Sequence, residues 1–181
     1  MRTLGIALGV FLSWSTSAQA LSVAVVDVNR AMKATEHFAQ AKAFIDGKSN
    51  ELDDEIKKKQ SELESRKEQL DAKRAVSRPE ATLEEDRRLQ GEAQMLAKQM
   101  MVKQQQLTQM KAAINNQLIQ RLTAVISQIA AKKDLDYVFE SGGTSPDANV
   151  VYFERELDIT DEVVEVYRTL FKGKPLDLPN S

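Results

Sequence analysis

The chain has 181 residues and no cysteine, and its 25 Lys and Arg against 27 Asp and Glu give a formal net charge of −2. This length fits one domain, or one domain with an extension. The absence of cysteine excludes a disulfide framework, a thiolate metal site and a lipid attached through a cysteine.

Residues 1–20 have the pattern of a secretory signal peptide. Arg2 supplies a positive start, residues 4–14 form an apolar run, and small residues lead up to Ala20. The apolar run is too short to cross roughly 30 Å of hydrocarbon. We therefore predict export, with cleavage after Ala20. Without Arg2 the mature chain carries 24 basic and 27 acidic residues, a net charge of −3.

The mature chain begins with the first part of a small β body, residues 21–37. Within it, residues 22–28 (SVAVVDV) are β-branched and apolar, which predicts a short buried strand. His37 is the only histidine. A zinc site there would need carboxylates alone around it, so we predict a surface histidine at the start of a helix.

Residues 38–133 are rich in Lys, Glu, Gln, Ala and Leu and predict long helices. Pro79 suits only the first turn of a helix, and Ser77 can cap the helix that begins there. We therefore predict two helices that meet in a turn near residues 77–80.

Apolar residues on the two predicted helices recur at heptad spacing and share one antiparallel register. Paired positions have residue numbers that add to 159, and one further pair adds to 156. The pairs are Leu70 with Leu89, Leu63 with Leu96, Leu52 with Leu107, Ile45 with Ile114, and, at 156, Ile56 with Met100. This pattern predicts a helical hairpin on the order of 60 Å or more in length.

The predicted seam between the helices is thin. Ser49, Lys59 and Arg66 stand where apolar side chains are expected, and polar seam residues cost stability. Gly47 lowers helix propensity by about 1 kcal/mol relative to Ala, which favours a bend or softening there. We expect arms that hold together but flex.

Residues 134–171 predict the second part of the β body. Residues 135–140 (LDYVFE) and 150–154 (VVYFE) read as two strands separated by a Gly- and Ser-containing loop. Thr160 is the predicted N-cap of a final helix with apolar residues at helical spacing. Residues 172–181 contain two prolines and predict a flexible tail. The chain is thus predicted to be α+β.

This order of parts resembles the Skp (OmpH-like) periplasmic chaperones. The resemblance rests on VAVVDVNRAM near the mature start, the long hairpin, LDYVFE, and DITDEVVEVY near the end, and it covers nearly the whole mature chain. It implies a periplasmic homotrimer whose strands form a small barrel and whose hairpins surround a cavity. There, members hold unfolded outer-membrane proteins and prevent their aggregation, without a nucleotide.

The charge of this chain departs from that family, whose familiar members are strongly basic. Residues 57–88, the outer part of the hairpin, carry ten basic and eight acidic residues, a net of +2. This weak positive charge gives no support for contact with lipopolysaccharide or an anionic membrane.

No motif predicts an enzyme, a cofactor or a metal ion. The GKS at 47–49 lacks the glycine that a phosphate-binding loop needs five positions earlier, where Lys42 stands. Adjacent acids such as Glu84 and Glu85 point in different directions on a helix and form no cleft. The basic run at 57–59 lacks interleaved aromatic residues, so nucleic acid is not an expected partner.

The stretch 94–110 (QMLAKQMMVKQQQLTQM) holds four of the six methionines. Met100 and Met110 lie on the predicted seam, whereas Met95, Met101 and Val102 fall beside it. These three side chains either pack against the neighbouring arm or contact the unfolded client proteins that a chaperone holds. The adaptable thioether of methionine suits contact with such partners. A structural or adaptor protein that docks its hairpin onto another envelope component is the alternative to a chaperone.

Overall fold

The protein is described by a computed structural model, which covers residues 20–76, 80–142 and 150–179. The predicted signal peptide up to Gln19, the cap at Ser77 and the proline at Pro79 lie outside the described residues. The elements in chain order are β1 (Val23–Val26), α1 (Val28–Lys33), α2 (Glu36–Arg74), α3 (Glu80–Lys132), β2 (Tyr137–Glu140), a 3-10 turn (Arg155–Leu157) and α4 (Thr160–Phe171).

The predicted first strand is shorter than expected because Asp27 begins a helix. Its side chain accepts a hydrogen bond from the Arg30 backbone N–H at 2.7 Å and so caps α1. This short helix was not predicted. Its Ala31 and Met32 are buried in the core of the body.

Helices α2 and α3 form the predicted hairpin. At about 1.5 Å per residue, the 53 residues of α3 extend about 80 Å and the 39 residues of α2 about 60 Å. The helix α2 runs without interruption through Gly47, where a bend or softening was expected. The last turns of α3 belong to the body, since Leu118, Leu122 and Val125 lie in its core.

The two strands meet after the whole hairpin has intervened. β1 pairs with β2 in parallel, with Val23 opposite Tyr137 and Val26 opposite Glu140. Both ends of the hairpin therefore return to the body, as the order of elements requires. The α+β class with a small strand pair and a long hairpin is confirmed.

The predicted strand at 150–154 is wrong for the single chain. None of these residues is in a strand, and Val151 is 98% exposed. The other edge of β1 instead makes an isolated bridge between Val25 and Asp158. A strand needs a paired neighbour, and residues 150–154 pair with neither β1 nor β2 in the described part of this chain.

Thr160 is not the N-cap of α4, contrary to expectation. Ile159 precedes the helix, and Asp158 Oδ1 accepts the Thr160 backbone N–H at 2.8 Å. The Thr160 hydroxyl accepts the Asp27 N–H at 2.9 Å. Thr160, which was predicted to cap its own helix, thus links α4 to the backbone at the end of β1. The predicted apolar face is correct, since Val163, Val164 and Tyr167 are buried.

Residues 172–179, predicted to be a flexible tail, lie against the base of the hairpin. Leu176 is buried, and Gln117 exchanges hydrogen bonds with the backbone of Asp177, at 2.9 Å from its N–H and 3.4 Å to its carbonyl. Arg121 donates to the carbonyls of Lys174 at 3.0 Å and Pro175 at 2.6 Å. These contacts come from α3, more than fifty residues away in the sequence. No local sequence pattern predicts them.

His37 is buried, with only 8% of its surface exposed, so the prediction of a surface histidine is wrong. Its Nε2 lies 2.8 Å from the Lys174 carbonyl, which can only accept, so Nε2 carries the hydrogen. Its Nδ1 then accepts from the Tyr167 hydroxyl at 3.1 Å. His37 thus contacts both α4 and the tail from its place in α2. Burial raises the pKa of the Tyr167 hydroxyl.

Candidate functional site

Polar contacts between the two arms agree with the predicted register. Arg66 pairs with Glu92, Lys73 with Glu85 and Arg74 with Asp86, while Lys59 donates to Gln99 and Lys103 to Glu55. The residue numbers of each pair add to between 158 and 160, against the 159 predicted from the apolar residues. Side chains that played no part in deriving the register therefore support it.

The polar residues at the seam positions form contacts between the two arms. Arg66 reaches Glu92 with both guanidinium nitrogens, one of them at 3.3 Å from Oε1. The hydrogen bond from Arg66 holds the pKa of Glu92 below its ordinary value of 4.5. Charged contacts therefore replace apolar packing at this level of the seam.

A second set of contacts surrounds Lys59. It lies 3.3 Å from Glu55 within α2 and donates to Gln99 of α3 at 3.3 Å. Glu55 also accepts from Lys103, and this hydrogen bond, helped by Lys59, lowers the pKa of Glu55. Lys103 of α3 thus forms an ion pair with Glu55 of α2 across the arms.

The polar seam leaves a hollow between the arms, which we call the upper groove, with a volume of about 680 Å³. Leu63 and Leu96 provide its apolar lining, and Met95 lies along it. The remaining lining is polar or charged and consists of Lys59, Ser61, Glu62, Ser65, Arg66, Glu92 and Gln99. Sequence reasoning recognised the thin seam here but not the groove, although the serines beside polar seam residues were a usable signal.

A smaller hollow of about 210 Å³, the lower groove, lies nearer the body. Its apolar lining is Leu52, Leu107 and Met110. The ion pairs around Glu55 lie between the two grooves, because Glu55 and Lys59 line a third, very small space that also touches Leu52 and Leu96.

Met95, Met101 and Val102, the predicted contact residues, are 61%, 69% and 51% exposed. The alternative in which they pack against the neighbouring arm is therefore not what a single chain adopts. Met95 and Val102 are seven residues apart and share one face of α3. Met101 lies about 100° around the helix from Val102. The structure therefore divides the three residues between two flanks of the arm.

The body carries a second exposed apolar surface. Tyr137 and Phe139 of β2 are exposed and stack with their ring centroids 6.1 Å apart. Leu21, Val151 and Tyr152 are exposed as well. Apolar side chains beside a two-stranded sheet with unpaired edges are typical of a surface that other chains cover.

We searched the described residues for a metal site and for a membrane-spanning helix. Within residues 20–76, 80–142 and 150–179, no three His, Asp or Glu side chains converge on a possible metal position. None of the described helices has the length and apolar character needed to cross a membrane. The arm grooves and the apolar surface of the body are thus the candidate functional surfaces.

Comparisons with known proteins agree with this architecture. A crystal structure from Caulobacter crescentus CB15, named as an OmpH-like outer membrane chaperone, matches with a TM-score of 0.76 and 18% identity over 100% of this chain and 96% of that one. At this identity the likeness concerns the fold. Comparison with curated protein sequences found no match. A family model described as "Outer membrane protein (OmpH-like)" matches residues 22–167. The chain therefore belongs to the OmpH-like family.

Proposed function

We propose that this protein is an ATP-independent holdase chaperone of the periplasm. It binds unfolded outer-membrane proteins in a cavity between helical arms and prevents their aggregation. The observation that carries the proposal is the exposure of Met95, Met101 and Val102 within one short stretch of a long arm. Such side chains make many weak contacts with unlike apolar partners.

Family membership supports a chaperone role. The match covers most of the mature chain, and a protein of the same fold is named as an outer membrane chaperone. The predicted signal peptide and the outer-membrane context of the family support a periplasmic location. Clients that must cross the periplasm unfolded require this kind of holding.

The working form in this proposal is a homotrimer. In the described residues of one chain, the body has two strands, a segment at 150–154 outside the sheet, and the exposed aromatic pair Tyr137 and Phe139. Association of three bodies supplies neighbours for these groups and closes the sheet edges into a barrel. The three hairpins then surround one cavity.

An aggregation assay tests the proposal. An outer-membrane β-barrel protein unfolded in urea is diluted into buffer with and without the mature chain, and light scattering is followed. We expect suppression at one trimer per client and weaker suppression by the combined variant M95Q/M101Q/V102Q with unchanged helicity. No suppression by the natural chain at several-fold excess contradicts the proposal. A pulldown that returns one defined folded partner favours the adaptor function instead.

A further inference from the structure

The two grooves of the hairpin lie on the same flank. Glu62 of the upper groove and Glu55 of the lower groove are seven residues apart on α2, as are Gln99 and Gln106 on α3. Residues seven apart lie on the same face of a helix. The hollows therefore form one interrupted channel along one side of the arm, and the ion pairs around Glu55 cross it.

The charges that line the upper groove cancel. Lys59 and Arg66 oppose Glu62 and Glu92, and Arg66 and Glu92 are already paired with each other. The lining as a whole has no net charge, so it gives a charged segment no net attraction to offset the hydration that the segment would lose. The groove therefore favours an uncharged segment that brings apolar side chains to Leu63 and Leu96.

The size of the channel fits an extended chain. The upper groove, at about 680 Å³, lies within the roughly 300–1,000 Å³ of typical ligand clefts. Leu63 and Leu52, on the floors of the two grooves, are eleven residues apart on α2, or about 16 Å. About five residues of extended chain span that distance.

The exposed apolar side chains continue this channel on one side only. Met95 lines the upper groove, and Val102 lies on the same face of α3 two turns nearer the body. Met101 is on the other flank and lines neither groove. Val102 lines neither groove either, so Met95 belongs to the lining of the upper groove and Val102 extends the same flank of α3 toward the body.

We propose that this flank of each arm binds an extended, uncharged segment of unfolded polypeptide, with an apolar side chain of the segment entering the upper groove between Leu63 and Leu96. The inference rests on the proposed chaperone function and deepens it. It locates client contact within one hairpin, in addition to the cavity between hairpins. The alternating apolar side chains of unfolded membrane β-strands suit such a groove.

The test fills the groove without changing the seam. Ser65 is an exposed lining residue, so Ser65→Phe adds a ring at the outer edge of the hollow, whereas Gln60→Phe places the same ring about 140° around α2 from there, away from the lining. The probe is a fluorescent outer-membrane β-barrel protein diluted from urea. We expect the Kd to rise about fivefold for Ser65→Phe and to stay within error for Gln60→Phe.

A second measurement does not depend on the fold of the Phe variant. The chain has no cysteine, so Ser65→Cys and Gln60→Cys each give a single attachment point for a photoreactive benzophenone. We expect strong crosslinking to the unfolded client from position 65 and little from position 60. Equal crosslinking from both positions, or unchanged binding by a folded Ser65→Phe protein, overturns the groove while leaving the chaperone function intact. Failure of the natural chain to bind the probe overturns the function itself.

Discussion

Arg66 and Glu92 form a two-pronged ion pair that bridges the arms of the hairpin at a position where a coiled coil usually buries an apolar side chain. The pair links the two arms, and both of its residues also line the upper groove beside Leu63 and Leu96. Stability and the shape of the candidate binding surface therefore depend on the same contact.

The first prediction concerns the electrostatic attraction between Arg66 and Glu92. Arg66→Glu places two carboxylates opposite each other, so we expect a lower urea midpoint in the helical circular dichroism signal. The exchanged pair R66E/E92R restores most of the loss, because the attraction between arms returns with its direction reversed. A double variant no more stable than Arg66→Glu shows that the pairing contributes nothing.

The second prediction is a loss of hairpin stability in acid. Hydrogen bonds from Arg66 and Lys103 hold the pKa values of Glu92 and Glu55 below the ordinary 4.5 of the unfolded chain. A lowered folded pKa gives stability that is present above about pH 4.5 and lost as the pH falls through the folded values. We expect the urea midpoint to fall between about pH 6 and pH 3, and to fall less in E55Q/E92Q. Because the groups are exposed, salt weakens the effect. An identical pH profile in that variant contradicts this origin.

The third prediction concerns the junction between the body and the first arm. Tyr167→Phe leaves Nδ1 of the buried His37 without its donor, which costs about 1–3 kcal/mol of unfolding free energy. The matched control is Tyr152→Phe, which removes an exposed hydroxyl bonded to Glu154 at 2.6 Å. We expect the control to leave the urea midpoint almost unchanged. Equal effects of the two substitutions contradict the buried network.

The fourth prediction concerns two helix glycines. A Cβ added at Gly47 or Gly91 meets no atom within 4 Å beyond its own helix backbone and chain neighbours, so alanine fits without a clash and reduces the freedom of the unfolded chain. We expect each substitution to raise the unfolding free energy by about 0.5–1 kcal/mol in thermal melts. Gly173→Ala is the control of opposite sign, because Gly173 has a φ of +70°. Destabilisation by Gly47→Ala would show that a bend at this position matters.

The hairpin could be predicted from the sequence because its order is local and repetitive. Heptad spacing placed Leu70 opposite Leu89 without knowledge of any distant contact, and the observed ion pairs follow nearly the same register. The thin seam was also visible. The groove was not predicted, because its shape depends on where Lys59 and Arg66 direct their side chains.

The failures of sequence reasoning share a cause in distant partners. His37 is buried by Tyr167 and Lys174, at least 130 residues away, and the tail is held by Gln117 and Arg121. None of these pairs has a periodic signature. Residues 150–154 have strand composition but no strand in one chain, since composition supplies no pairing partner.

The central claim is that three copies of this chain hold one unfolded client. Solution mass, measured by light scattering after size exclusion with and without an unfolded outer-membrane β-barrel protein, tests it most directly. We expect the mass of three mature chains alone, and of three chains plus one client after mixing. A single chain whose mass is unchanged by the client, which is recovered as aggregate, contradicts the claim.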